Sequence, residues 1–198
     1  QMFLTHLDRA GRDSPAILIE NATAANRAVN IPEFVNIPPD GMLKIETPAV
    51  EVYRLFDRAW ELAQKGDYRG AIPEWRKVLE AHPGDSKAHL NLGFALAQTG
   101  SLDEAIDHYR KAVEISPEYP ELHMNLGIAL ANAGKPDQAV LEYRKGLELD
   151  PDNPEMHSNL GGALAQLGKT EEAIGHYRKA LEINPGYGEV HNNLRSEE

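Results

Sequence analysis

Histidines recur at one position of this sequence, at a constant interval of 34 residues: His89, His123, His157 and His191. A neutral imidazole nitrogen is a good ligand for zinc, so recurring histidines raise the question of a metal site. Ligands one repeat apart seldom converge on a single ion, and we therefore expect these side chains to pack between helices. A second column with the same interval is expected to face solvent and contains His108, Glu142 and His176.

Asparagines form another column at the same interval: Asn91, Asn125, Asn159 and Asn193. A side-chain amide carries both hydrogen-bond donors and an acceptor, as the backbone of a peptide does. A regular row of amides can therefore hold an extended peptide by its backbone, with little regard to the sequence of that peptide. The alternative is that these amides are solvated and bind nothing.

No combination of residues in this sequence predicts catalysis. We find no Gly-x-Ser-x-Gly motif, phosphate-binding loop, His-Glu-x-x-His motif or dinucleotide fingerprint. Carboxylates such as Asp103 and Glu104 stand in the first turn of a predicted helix. Their negative charge interacts favourably there with the positive end of the helix dipole. The chain has no cysteine, which excludes disulfides and thiolate chemistry. We therefore predict no catalytic residue, no metal and no cofactor.

The net charge and the hydropathy of the sequence restrict the kinds of molecule that this chain is expected to bind. The formal net charge is −11, whereas phosphate contacts need clustered Lys and Arg. We therefore expect no nucleic-acid partner and favour a partner with a basic surface. No stretch approaches the roughly 20 apolar residues that span a bilayer, and charge interrupts the first residues before any signal-peptide core. We expect no membrane partner and favour the cytoplasm, although the lack of cysteine fits the periplasm as well.

Columns of residues with a constant interval require structural elements that repeat with the same interval. The units share a Leu-Gly pair, which stands at Leu92-Gly93, Leu126-Gly127 and Leu160-Gly161. They close with a proline, which stands at Pro83, Pro117, Pro151 and Pro185. An interval that is kept without insertion indicates stacked copies of one helical hairpin, because an added residue would rotate one copy against the next.

Within one unit the pattern predicts two helices. Apolar residues at helical spacing predict the first over 86–99, and Gly100 ends it because glycine tolerates a positive φ. The second is predicted from about Leu102 to Ile115, and Pro117 stops it. Glycines of the first helices are expected to face alanines of the second helices: Gly93, Gly127 and Gly161 with Ala105, Ala139 and Ala173.

Two further expectations concern packing. One aromatic residue per unit is expected in the core, namely Trp75, Tyr109, Tyr143 and Tyr177. Pro73 falls inside the second helix of the first unit, where it removes a backbone hydrogen bond and should kink or delay that helix.

The Leu-Gly pair, mid-unit glycine, small alanine, aromatic residue and closing proline resemble the tetratricopeptide repeat family. The resemblance implies an all-α, right-handed superhelical solenoid of about four helical hairpins. It places repeats at 52–85, 86–119, 120–153 and 154–187, with a partial fifth repeat or capping helix at 188–198. It also implies a protein-interaction module that binds an extended peptide or partner segment in a concave groove lined by the first helices.

The asparagine column resembles the repeat region of O-linked N-acetylglucosamine transferases, in which such amides hold the backbone of the substrate. Independently of this resemblance, the residues beside the column are apolar in the first units and polar in the later ones, which predicts pockets for apolar side chains near the first two units. The candidate peptide-binding residues are Asn91, Asn125, Asn159, Asn193, Trp60, Phe94, Met124, Leu90, Lys87, Gln98 and Asn132. A carboxylate clamp, another feature of the family, needs several basic residues, but only Lys87 is basic at the flanking position, so we expect no clamp.

Residues 1–51 do not follow the repeat and are expected to be partly extended and partly helical. The apolar stretch 31–38 is expected to lie in or at the mouth of the groove of this chain or of a neighbour, and self-association through this arm or the repeat ends is a further prediction. Gln1 precedes the first Met and the last unit is incomplete, which suggests a piece of a longer protein. The alternative function is therefore an accessory region of a larger transferase or hydrolase.

Overall fold

The computed structural model describes residues 48–197 as a succession of α-helices. Nine helices occur in this range, without a strand: α1 (Pro48–Gln64), α2 (Tyr68–Ala81), α3 (Ser86–Gln98), α4 (Leu102–Ile115), α5 (Pro120–Asn132), α6 (Pro136–Leu149), α7 (Pro154–Gln166), α8 (Thr170–Ile183) and α9 (Gly188–Glu197). The bounds of α3 and α4 confirm the two helices predicted for one unit. The first helix begins at Pro48, before the predicted repeat boundary at residue 52, and the structural expectations for 1–47 lie outside the described residues.

A glycine with positive φ ends the first helix of every hairpin. These glycines are Gly66, Gly100, Gly134 and Gly168, with φ of 79°, 87°, 70° and 71°. The residue after the glycine donates its N–H to a leucine carbonyl of the helix, as Ser101 does to Leu96 at 2.9 Å. This is a Schellman-type cap, which satisfies helix carbonyls and reverses the chain in few residues. The role predicted for Gly100 is confirmed.

The second helix of the first hairpin, α2, runs without interruption past Pro73. It begins at Tyr68, where Asp67 caps it by accepting the N–H of Gly70 at 2.9 Å. The expected delay of this helix is therefore wrong. Proline removes the hydrogen bond to the carbonyl of Arg69, but both residues are exposed, so water can replace the missing donor.

Each hairpin buries one aromatic ring, and in the three hairpins from α3 onward this ring lies against a glycine. Trp75, Tyr109, Tyr143 and Tyr177 are at most 3% exposed, which confirms the predicted aromatic column. A methyl group on Gly127 would lie 2.5 Å from the ring of Tyr143, and methyl groups on Gly93 and Gly161 would lie 2.8 and 2.7 Å from the rings of Tyr109 and Tyr177. These glycines were expected to face alanines of the second helices; the atoms nearest to an added methyl group belong to the tyrosine rings, so the absent side chains make room for those rings.

Each helix from α2 onward packs against the next one along the chain. In addition α5 contacts α7, and α7 contacts α9, so these first helices of successive units lie side by side. The last helix, α9, packs on α8 and α7 and buries Val190 completely. The first helices α5, α7 and α9 therefore lie next to one another in the stack.

Candidate functional site

The sides of α1, α3, α5, α7 and α9 that carry the predicted peptide-binding residues form what we call the first-helix face. Its central row is the asparagine column, and all four asparagines are half-buried there. In the described part of the chain, the side-chain amides of Asn91, Asn159 and Asn193 have no hydrogen-bond partner. Asn125 differs, since its Nδ2 donates to the carbonyl of Glu121 at 2.7 Å. The row therefore keeps most of its donors and acceptors unused.

Aromatic rings flank this row in the first two units. Trp60 is 41% exposed and Phe94 is 42% exposed, which is high for side chains of this size. The ring of Phe94 meets that of Tyr68 edge to face, with centroids 5.6 Å apart, an arrangement that aromatic pairs prefer. Leu90 and Met124 are half-buried beside them. These four residues keep apolar side chains accessible on α1, α3 and α5, and we call them the aromatic end.

The remaining predicted site residues, Lys87, Gln98 and Asn132, are exposed on the same helices. In later units glutamates replace Lys87, namely Glu121, Glu155 and Glu189, and these are exposed as well. None of the three has an ion-pair partner among residues 48–197. Burial is the largest cause that raises the pKa of Tyr187, and the negative charges of Glu155 and Glu189 raise this pKa further. The later units therefore carry uncompensated negative charge, which we call the acidic end.

Charges on the second helices behave differently, because arginines connect one unit to the next. Arg76 of α2 reaches Glu104 of α4 at 2.6 Å, and Arg144 of α6 reaches Glu172 of α8 at 2.9 Å. At the same position between these two pairs, Arg110 donates to Gln138 at 3.1 Å. The side of the second helices that carries these contacts is called the second-helix face below.

The recurring histidines are structural. His89, His123 and His157 are between 4% and 8% exposed, and the Nε2 of each lies 3.0 Å from the carbonyl of the proline six residues earlier. The predicted packing is confirmed for these three, whereas His191 makes the same contact but is exposed. Among the described residues, no group of three or more His, Asp or Glu side chains is placed to hold a metal ion.

The second histidine column was expected to face solvent, and this expectation was wrong. His108, Glu142 and His176 are half-buried. Each contacts the Nδ1 of the histidine 19 residues earlier on the first helix, at 2.9, 2.8 and 3.0 Å. The two columns therefore close the α3–α4, α5–α6 and α7–α8 hairpins by a polar contact between their two helices.

Comparison with known families identifies the repeat. The family model described as tetratricopeptide repeat matches residues 56–120 and 124–188, together more than half of the chain. This chain belongs to the tetratricopeptide repeat family. No curated protein matches it significantly. As a separate finding, none of the helices between residues 48 and 197 has the length and apolar character needed to cross a membrane.

Solved structures of other tetratricopeptide repeat proteins are similar to this one. A crystal structure of MamA aligns with a TM-score of 0.70 and 25% identity, over 74% of this chain and 80% of that chain. The first repeat domain of Spaghetti (RPAP3), bound to the HSP90 peptide SRMEEVD, aligns with a TM-score of 0.56 and 29% identity, over 57% of this chain and 89% of that chain. YrrB, a repeat protein with an unusual peptide-binding site, shares the fold at 23% identity and a TM-score of 0.66, over 75% and 79%. The fold of this chain is that of a protein-interaction module.

Proposed function

We propose that this chain binds an extended peptide segment of a partner protein on its first-helix face. The observation that carries the proposal is the row of half-buried asparagines, three of which have amides without a partner in residues 48–197. Unused amides at a regular spacing match the alternating donors and acceptors of an extended backbone. The RPAP3 repeat domain, which has a similar fold, is bound to a peptide, and this supports peptide binding by the present chain.

Backbone contacts alone are too weak to account for such binding. Each amide bond contributes about 0.5–1.5 kcal/mol net, whereas micromolar affinity requires about −8 kcal/mol in addition to the entropic cost of association. Burial of one large apolar side chain adds about 1.5–3 kcal/mol. We therefore assign the anchor of the peptide to the aromatic end, where Trp60 and Phe94 can cover an apolar side chain.

The acidic end indicates the charge of the partner. Glu121, Glu155 and Glu189 are unpaired within the described residues, so a lysine or arginine of the peptide gains an ion pair without displacing another. Exposed charges of this kind chiefly affect the association rate and the salt dependence of binding. The peptide that we propose is therefore apolar toward the first two units and basic toward the later ones. We expect weaker binding of an acidic peptide such as SRMEEVD, the peptide that the RPAP3 repeat domain binds.

The asparagine row is tested with short synthetic peptides on an array and then in solution. The peptides combine apolar residues at one end with Lys and Arg, or with Asp and Glu, at the other. We expect the apolar and basic peptides to bind, and the triple change Asn91→Ala, Asn125→Ala and Asn159→Ala to weaken them at least about tenfold. Equal affinity of parent and variant, with thermal stability unchanged, would remove the asparagine row from the proposal.

Two matched pairs of variants test the ends of the site. Glu155→Gln with Glu189→Gln should weaken basic peptides and reduce the salt dependence, whereas Glu114→Gln with Glu148→Gln removes the same charge from α4 and α6 and should change neither. Trp60→Ala should weaken apolar peptides, and Leu141→Ala, which removes a side chain 57% exposed on α6, should not. Equal effects of a site variant and its control would indicate a non-specific interaction.

The remaining expectations stay predictions. Self-association through the repeat ends predicts an apparent mass that rises with concentration, which light scattering measures. A role as the accessory region of a larger enzyme predicts that the same face holds the substrate of that enzyme. The repeat boundaries and the cytoplasmic location also stay predictions.

A further inference from the structure

Three successive hairpins are closed by the same polar contact, made with two different kinds of partner. Nδ1 of His89 on α3 lies 2.9 Å from Nδ1 of His108 on α4. The α7–α8 hairpin has the same contact, in which Nδ1 of His157 lies 3.0 Å from Nδ1 of His176. In the hairpin between them, a carboxylate oxygen of Glu142 takes the place of the second imidazole, 2.8 Å from Nδ1 of His123.

The proton positions in the histidine pairs follow from the surrounding acceptors. A carbonyl can only accept, so Nε2 of His89, 3.0 Å from the carbonyl of Pro83, carries a hydrogen. A neutral His89 then has its lone pair on Nδ1, and His108 must donate to it from its own Nδ1. The lone pair of His108 is left on Nε2. The pair on α7 and α8 has the same arrangement, with the carbonyl of Pro151 as acceptor.

The geometry of the pairs fits a shared hydrogen and not a metal ion. The ring centroids of His89 and His108 are 5.1 Å apart, so the two Nδ1 atoms, only 2.9 Å apart, point at each other almost head-on. Two ligands of a zinc ion instead converge on a point about 2.0–2.1 Å from each nitrogen. His157 and His176 are also head-on, with centroids 5.3 Å apart.

The contact within such a pair survives the binding of one proton but not of two. The first proton binds Nε2 of His108 and leaves the contact in place, now assisted by charge. A second proton would have to bind Nδ1 of His89, and two N–H groups would then face each other. In the middle hairpin His123 can donate from both nitrogens as an imidazolium, to Pro117 and to the carboxylate of Glu142. That contact tolerates a protonated histidine.

We propose that the histidine pairs make the α3–α4 and α7–α8 hairpins sensitive to acid, so that both loosen on double protonation while the α5–α6 hairpin between them stays closed. The fold thereby contains a pH-responsive element in alternate units. This inference does not depend on the peptide site.

Charged groups around the first pair come from three elements. Asp85 precedes α3, Glu104 and Lys111 lie on α4, and Arg76 lies on α2. Burial lowers the pKa of both His89 and His108, and the positive charge of Lys111 acts in the same direction on both. The Pro83 carbonyl and Asp85 oppose the shift for His89, as Glu104 does for His108.

The second pair is faced by Arg144 on α6 and Glu172 on α8. Burial, then His157 and Arg144, lowers the pKa of His176 below the ordinary 6.5, against the opposing charge of Glu172. With folded pKa values below 6.5, the unfolded chain binds more protons as the pH falls through 6.5. Stability is therefore present above that pH and decreases below it.

The chain offers a matched test, because Lys111 and Lys179 occupy the position that Lys145 holds beside Glu142. His108→Glu and His176→Glu therefore copy the complete middle contact into the outer hairpins. We expect the wild type to lose more thermal midpoint between about pH 7 and about pH 5 than the double variant, by roughly 2–4 °C per pair. Glu142→His should increase the loss. The same pH dependence in all three proteins would overturn the proposal.

Measurements on the unaltered chain keep the proposal testable if a variant does not fold. Nitrogen NMR of labelled histidines near neutral pH should place hydrogens on Nε2 of His89 and Nδ1 of His108, with a coupling across the N–H···N bond. Hydrogen exchange near pH 5 should accelerate in α4 and α8 relative to α6. A hydrogen on Nδ1 of His89 at neutral pH, or uniform exchange in the three helices, contradicts the proposal.

Discussion

The first-helix face and the second-helix face are built from the same repeat, but they use their polar groups in opposite ways. On the second-helix face, arginines contact the next unit, as Arg76 does with Glu104 and Arg144 with Glu172. On the first-helix face, Glu155, Glu189 and three of the four asparagine amides have no partner in the described range. One side holds the stack together and the other is free to contact something else.

This difference separates stability from the proposed peptide binding along the same helical hairpin. Changes between the two helices should disturb both faces, changes on the second-helix face should reduce stability alone, and changes on the first-helix face should affect binding alone. The four predictions below test this separation, from the largest expected effect on stability to the smallest.

Gly127→Ala should destabilise the protein by about 1–3 kcal/mol, because the added methyl group would lie 2.5 Å from the ring of Tyr143. Both faces should be affected, since α5 must move away from α6. Chemical denaturation measures the loss. Gly175→Ala is the control, because nothing lies within 4 Å of the new methyl group and alanine favours a helix. A loss of similar size in the control would contradict the packing argument.

Glu142→Gln should cost about 1 kcal/mol near neutral pH, the difference between a charged and a neutral hydrogen bond. Burial by itself raises the pKa of Glu142, but hydrogen bonds from Lys145 and His123 outweigh it and lower the pKa below 4.5. The carboxylate therefore stabilises the fold above pH 4.5, and this contribution is lost as the pH falls through the lowered value. Urea unfolding of both proteins should converge in acid. A constant difference at all pH values contradicts this account.

Arg144→Ala should cost only about 0.2–1 kcal/mol, because the Arg144 and Glu172 side chains are 46% and 49% exposed and solvent screens the pair. Salt should reduce the difference between variant and wild type. Peptide affinity should stay unchanged, because Arg144 lies on the second-helix face and the proposed peptide site lies on the first-helix face. Weaker peptide binding at equal stability would contradict the claim that the second-helix face contributes only to stability.

Glu155→Gln together with Glu189→Gln should change stability by no more than about 0.5 kcal/mol, since neither carboxylate has an ion-pair partner in the described part of the chain. The pKa of Tyr187 should fall, because burial, the largest cause that raises it, remains but the charges of Glu155 and Glu189 are removed. Spectrophotometric titration of the tyrosines measures the shift. An unchanged titration would show that these charges do not act on Tyr187.

The sequence predicted the elements better than the contacts between them. Apolar spacing, Gly100 and Pro117 delimit α3 and α4 correctly, because helix ends depend on local residues. The aromatic column was also predictable, since one large apolar residue per unit must be buried. Pro73 shows the limit of such rules, because an exposed position lets water replace the bond that proline removes.

The histidine contacts were missed because the period fixes each column without indicating which columns face each other. His108 lies 19 residues after His89, across a turn whose geometry decides whether the side chains meet. A signal was present, as polar residues occupy both columns in every complete hairpin from residue 86 onward. The peptide-binding residues stay predictions for a related reason, since unused amides indicate a capacity to bind and do not identify the partner.

The identical glycine turns also have an evolutionary consequence. Because Gly66, Gly100, Gly134 and Gly168 cap their helices in the same left-handed conformation, recombination between any two of these codons removes or duplicates whole units without a frame or phase error. The array can thus change length in a single genetic event. Such an event also changes the order in which histidine and glutamate contacts alternate along the stack.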